Sequence, residues 1–227
     1  VTKTYRYLGY QLHLMVDATY ELPIRFNVTK AHESEVAQAK DMVTELPHSI
    51  KDRTAYLMGD KGYDGQPLQE IIENEGIIPI IDMKNMWKDG EKTKQYKDTD
   101  IVYNYKGDIF EYINDSDYVK LPYKGYHKAS ESLRYEQING QLLYIDRSVE
   151  PRVFNKVARD SKKFRRLYDM RTSVERVNSK LDDQYNFDHH TIRGLEKMKL
   201  RVLMSLIVML GKKKLAVKQN ISIGKVA

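Results

Sequence analysis

The segment Ala55-Tyr56-Leu57-Met58-Gly59-Asp60-Lys61-Gly62-Tyr63-Asp64 changes character at its middle, where residues suited to a strand give way to an acidic turn punctuated by glycine. That pattern predicts a short strand ending at Asp60. A carboxylate at a strand's end is a rigid, accessible oxygen ligand for a cation. In open α/β sheets, sites gather outside the carboxyl ends of the strands. The plainer reading of Asp60 is a turn aspartate accepting bonds from nearby backbone N–H groups, the commoner fate of Asp beside Gly. On this segment alone the turn reading is preferred.

Downstream, Gln66 to Asn74 has helical periodicity, and the apolar run Ile77-Ile78-Pro79-Ile80-Ile81 predicts another strand. Upstream, Leu12, Leu14 and Val16 alternate to one face of a strand over residues 9–18, with Gln11 and His13 on the other. A polar turn at Thr19 to Glu21 leads into a second alternating stretch, Leu22 to Thr29. Glu33 to Leu46 predicts an amphipathic helix with Val36, Ala39, Val43 and Leu46 inward. The order strand–strand–helix–strand–helix–strand is an α/β pattern.

Beyond Lys84 the character shifts. Residues 85–100 are polar and carry the only tryptophan, Trp87; residues 101–150 are short tyrosine-rich segments separated by turn signals at Gly107, Gly125 and Gly140. Residues 85–150 therefore read as a β-rich insertion. From Asp160 the pattern is helical: one helix to about Leu181, and another from about Gly194 to Leu215 with Leu195, Met198, Val202, Leu203, Leu206 and Leu210 on its buried side. The expected organisation is a first core part at 1–84 that starts inside its domain, the insertion at 85–150, a helical core part at 151–215, and a basic tail at 216–227.

With 227 residues and 41% hydrophobic content the chain can bury a sizeable core. The absence of cysteine excludes disulfides, thiolate metal sites and cysteine nucleophiles. No charged-then-apolar leader follows Val1, and the longest apolar stretch, Leu200 to Leu210, is broken by Arg201, so no membrane partner is expected. Charge is unevenly placed. Residues 1–150 hold 19 Lys/Arg against 25 Asp/Glu, whereas residues 151–227 hold 19 against 7. A basic C-terminal third points to a polyanionic partner, with a merely lysine-rich solvated surface as the alternative.

Glu175 is the second acidic candidate. Tyr168, Arg171, Glu175, Asn178 and Asp182 recur at intervals of three and four, so on one continuous helix they form a polar stripe beside the apolar stripe Phe164, Leu167, Met170, Val174, Val177 and Leu181. An Arg171–Glu175 surface pair accounts for two of these residues. It does not account for the rest of the stripe at the core's edge.

Gly9-Tyr10-Gln11-Leu12-His13, Val16-Asp17-Ala18, Leu22-Pro23-Ile24 and Asp60-Lys61-Gly62-Tyr63-Asp64, followed by Tyr168-x2-Arg171-x3-Glu175-Arg176, resemble in order the signature segments of DDE-type bacterial insertion-sequence transposases. The similarity runs from about residue 9 to 210. It implies an RNase H-like mixed sheet flanked by helices, with two aspartates and a glutamate binding two divalent ions. It assigns Asp60 as the second catalytic aspartate and Glu175 as the third carboxylate. The family's tyrosine motif continues to a lysine where this chain has Asp182, so that role is not carried over. The first aspartate belongs to a strand preceding Gly9, which this chain is expected to lack. Asp17 is the substitute within the chain, with turn formation as its simpler role.

The implied chemistry is DNA cleavage at element ends and strand transfer, by in-line displacement between two metals about 3.5–4 Å apart. Oxygen ligands suit Mg²⁺ or Mn²⁺. With one carboxylate missing, residues 1–227 alone are expected to be weak or inactive. Tyr168, Arg171 and Arg176 are the implied phosphate contacts, and Lys162, Lys163, Arg165 and Arg166, with Lys197, Lys199 and Arg201, are candidates for the DNA backbone. Trp87 reads as core of the insertion rather than a base-stacking platform. Adjacent His189 and His190 point apart on regular structure and are assigned no role. The resemblance further implies double-stranded DNA (terminal repeats and target) as partner, homo-oligomers assembled on it, and a bacterial cytoplasmic setting. A non-catalytic DNA-binding remnant and a metal nuclease without strand transfer are the other readings.

Overall fold

The computed structural model describes residues 9–114, 117–187 and 189–219. Most of the basic tail, residues 220–227, lies outside that range. The fold is mixed α/β, and contacts divide it into two compact units, one of residues 1–47 and 170–227 and one of residues 48–169.

The first unit is built on a hairpin of β1 (Tyr10–Asp17) and β2 (Leu22–Lys30), antiparallel with an irregularity between Met15 and Val16. Alternation gives each face its cover. Leu12 opposite Val28 and Leu14 opposite Phe26 pack with Val177, Leu181, Val202 and Leu206 of helices α5 (Thr172–Tyr185) and α6 (Leu195–Lys218). The other face is polar yet also covered. There α1 (Glu35–Thr44), capped by Ser34, crosses the strands, and Asn27 Nδ2 donates to Gln38 Oε1 at 2.6 Å. His13 on this face is buried and shares a 2.8 Å hydrogen bond with Thr29 Oγ1. Burial lowers its pKa, with Glu35 and Glu33 opposing.

The second unit opens with a short helix α2 (His48–Lys51), then β3 (Tyr56–Gly59), α3 (Gln66–Asn74) and β4 (Ile78–Ile81). The strands β3 and β4 are parallel, joined through α3, which buries Leu68 and Ile72. The helix α4 (Lys162–Asp169) packs on the same two strands through Phe164 and Leu167. Between β4 and α4 lie two antiparallel sheets, β5 (Thr93–Gln95), β6 (Ile101–Asn104), β7 (Ile109–Tyr112) and β8 (Tyr118–Lys120) in one, β9 (Tyr123–His127), β10 (Ser132–Glu136) and β11 (Leu142–Asp146) in the other. They share one core around Tyr103, Ile109, Tyr135, Ile145 and Phe154. Trp87 is part of it, edge-on to Tyr103 with Lys94 over its ring.

By hydrogen bonding the described strands group as β1–β2, β3–β4, β5 to β8 and β9 to β11. Three finer expectations need correction. The helix expected over 160–181 is two helices, interrupted at Met170-Arg171. There Ser173 donates from Oγ to the Met170 carbonyl (2.7 Å) and from its backbone N–H to the same oxygen (3.1 Å), so its hydroxyl competes for a backbone acceptor and tightens the turn. Gly125 is not a turn residue but sits within β9 at a register irregularity opposite Arg134. On α6, Leu203 and Leu210 are 41% and 40% exposed; Ser205, Met209 and Ala216 take the inner positions with Val202 and Leu206.

Candidate active site

Parallel pairing of β3 with β4 sets the site's first half. Gly59 and Ile81 are register partners at the carboxyl ends of their strands, so the next residue on each, Asp60 and Asp82, leaves the sheet at the same end. Asp60 is exposed and caps the 3-10 turn Lys61–Tyr63, accepting from the Gly62 N–H at 2.6 Å. Gly62 is required by this geometry: a Cβ there would lie 2.7 Å from Asp60 Oδ1. Asp60 is thus a turn cap, as the plainer reading expected, and its side chain is exposed at a strand's end.

Beside it, Lys61 Nζ pairs with Asp82 Oδ2 at 3.0 Å. That hydrogen bond and charge raise the Lys61 pKa, with smaller contributions from Tyr168 and Tyr105. Asp82 also accepts from the Met83 N–H at 2.9 Å. The loop is anchored at its far end by Asp64, whose side chain is wholly buried. Arg152 grips it with two bonds, Nε to Oδ1 at 3.1 Å and Nη2 to Oδ2 at 2.6 Å, and donates again to the Lys84 carbonyl at 2.8 Å. Gln69 Nε2 and the Lys84 N–H complete the shell. Arg159 donates to the carbonyls of Ile81, Val153 and Arg152; burial pulls its pKa down to about 10 while Asp64 and Asp82 oppose.

Sequence reasoning passed over Asp82, Arg152 and Arg159. Asp82 was accessible to it, since it follows an apolar run as Asp60 does. The two arginines carried no local signal.

On α4, Lys162, Lys163, Arg165 and Arg166 are exposed on the side away from Phe164 and Leu167. Lys163 lies over the Tyr56 ring, and Tyr168, half-buried, stacks on Phe164.

In the other unit, Glu175 stands in the first turn of α5, where the helix dipole favours a carboxylate. It is well exposed and accepts from Arg171 Nη1 at 2.6 Å. Arg176 points elsewhere, to Glu21, Thr172 Oγ1 and Ser173 Oγ. Glu21 also takes Lys180 at 2.8 Å, and these two cations hold its carboxyl below the ordinary glutamate range. Asp17 ends β1 with Oδ1 accepting from the N–H groups of Thr19 and Tyr20, both at 2.8 Å. Arg201 donates to the Tyr185 and Asn186 carbonyls at the end of α5, and Lys199 pairs with Glu196. The tyrosine–arginine–glutamate residues are therefore split, with Tyr168 on α4 and Glu175 on α5.

A family model, the transposase DDE domain, matches residues 2–210. The chain belongs to that family. No curated protein and no solved structure matches it. DDE transposase domains are in general nucleotidyl-transfer enzymes that act on DNA and depend on divalent metal. The candidate carboxylates Asp60 and Glu175 are both exposed and offer the hard oxygen atoms that such ions take. Among the described residues no three acidic, histidine or cysteine side chains gather as a metal-binding group. No helix among them is long and apolar enough to cross a membrane.

Proposed function

We propose that this chain is the catalytic domain of an insertion-sequence DNA transposase, cleaving phosphodiesters at element ends and joining the ends to target DNA. The observation that carries this reading is Asp60, exposed at the carboxyl end of β3 and oriented by Gly62, at the motif position of a chain matched to the family over residues 2–210. In this reading the core adopts an RNase H-like arrangement, residues 85–150 are an insertion into it, and Asp60 and Glu175 are two of the metal-binding carboxylates. The remaining aspartate is assigned to no residue of this chain; Asp17 already serves the β1–β2 turn.

Bound Mg²⁺ or Mn²⁺, two ions in the complete site, would activate the attacking water or 3′-hydroxyl and stabilise charge on the leaving oxygen. The chain's own groups do the rest. Asp60 presents its carboxylate from a fixed turn. Arg171 pairs with Glu175; Arg171 and Tyr168 are each proposed as phosphate contacts, a role for which the planar arginine fork is suited. The exposed cations of α4 supply salt-sensitive, sequence-independent affinity. The proposed setting is the bacterial cytoplasm, with oligomers assembled on double-stranded terminal-repeat DNA.

The test is cleavage and end joining of terminal-repeat DNA by the full-length protein in Mg²⁺, with Asp60→Asn and Glu175→Gln as comparisons. Loss of both steps in both variants is expected. Cleavage retained in either removes that residue from the site. Cleavage without joining marks a nuclease, and DNA binding with no metal-dependent cleavage in the parent marks a remnant.

A further inference from the structure

We infer that Lys61 is a DNA-phosphate ligand at the Asp60 edge of the sheet, and that Asp82 is the residue that positions it. The inference rests on the function proposed above and adds to it a group that directs the substrate.

A phosphodiester approaching Asp60 meets two carboxylates that leave β3 and β4 at the same end. Lys61 is a cation fixed beside them in sequence and in space, adjacent to Asp60 and ion-paired to Asp82 at 3.0 Å. Its backbone is not free to drift. The Lys61 carbonyl accepts from the Asp64 N–H at 3.2 Å, the Asp60 carbonyl accepts from Tyr63 at 3.1 Å, and Asp64 is locked by Arg152. The head group remains available, since the Lys61 side chain is 52% exposed. An ammonium carries three donors, so one can stay with Asp82 while another meets a phosphate oxygen. An ion pair this exposed is weakly held, which lets an incoming phosphate compete for the ammonium.

The alternative is a surface ion pair with no role in binding, and the two differ in what salt does. The experiment is binding of the full-length protein to a short random-sequence DNA duplex in EDTA, so that no metal chemistry intervenes, with affinity followed against salt concentration. A single phosphate contact contributes about 0.9 to the slope of log affinity against log salt. Lys61→Ala is expected to lower that slope by about 1. Lys61→Arg should retain it, as should Lys128→Ala, an exposed lysine in the β9–β10 turn. Asp82→Asn keeps the cation and should keep the slope, but is expected to reduce the cleavage rate at saturating terminal-repeat DNA severalfold in Mg²⁺. An unchanged slope in Lys61→Ala, or an equal fall in Lys128→Ala, would overturn the phosphate contact. An unchanged cleavage rate in Asp82→Asn would overturn the positioning role. DNA binding by the parent with no metal-dependent cleavage defeats the proposed function instead, without touching the salt result.

Discussion

Asp64 and Arg152, 88 residues apart in sequence, form a two-point pair in which neither side chain is more than 11% exposed. The Asp60 loop and the segment leading into α4 are thereby tied to each other. Breaking such a pair from one side leaves a buried charge without its counter-ion, which costs about 3–5 kcal/mol. Arg152→Ala should therefore lower the urea midpoint strongly. Asp64→Leu combined with Arg152→Met should recover much of the loss, because no buried charge is left uncompensated. Equal loss in the double variant would show that the pair is not the source of the effect.

Gly62 separates geometry from charge at the candidate site. Gly62→Ala puts a Cβ 2.7 Å from Asp60 Oδ1, so the carboxylate must rotate away. Asp60→Asn keeps a side-chain acceptor for the Gly62 N–H, which predicts a stability change within about 1 kcal/mol. Both variants should lose cleavage, Asp60→Asn by more than the roughly 10–100-fold typical of groups that only orient a metal ligand. Thermal melting and a single-turnover cleavage assay check the two halves of this prediction.

Glu21 predicts an acid-sensitive contribution to the stability of the hairpin unit. The hydrogen bond from Lys180, opposed by burial and aided by Arg176, depresses its pKa in the folded chain. The sign follows from linkage: the stabilisation is present above the unfolded glutamate value of about 4.3 and is lost as pH falls through the lower folded value. Glu21→Gln should be less stable than the parent at pH 7, and the difference should shrink as melting is measured at successively lower pH through that window.

Two leucines on α6 should behave oppositely. Leu206 is 4% exposed in the core shared with the hairpin, while Leu200 is 59% exposed. Leu206→Ala should cost about 2–5 kcal/mol. Leu200→Ser should stay within about 0.5 kcal/mol. Chemical denaturation of both variants is the measurement.

Much of the architecture was legible in neighbouring residues. Alternation of Leu12, Leu14 and Val16 placed β1 and its apolar face. The Gly59-to-Asp64 turn placed the end of β3, and the run from Ile77 to Ile81 placed β4. The glycine-separated tyrosine segments placed a β-rich stretch after Lys84. Helix periodicity was less informative. It ran through Met170-Arg171 because nothing in an apolar count registers a serine hydroxyl taking the Met170 carbonyl. It also assigned Leu203 and Leu210 inward, since α6 is apolar around most of its circumference and periodicity cannot choose between apolar faces.

By itself, then, the sequence determined most of the local elements and the family. These depend on alternation, turn chemistry and ordered motifs, all written in residues close along the chain. Only the tertiary structure decided that Asp64 is a buried anchor for Arg152, that Lys61 rests on Asp82, and that Arg176 turns to Glu21. Each of those outcomes matches a charge with a partner brought to it by the path of the chain. Such a match depends on where strands and helices end in space, which no local pattern specifies.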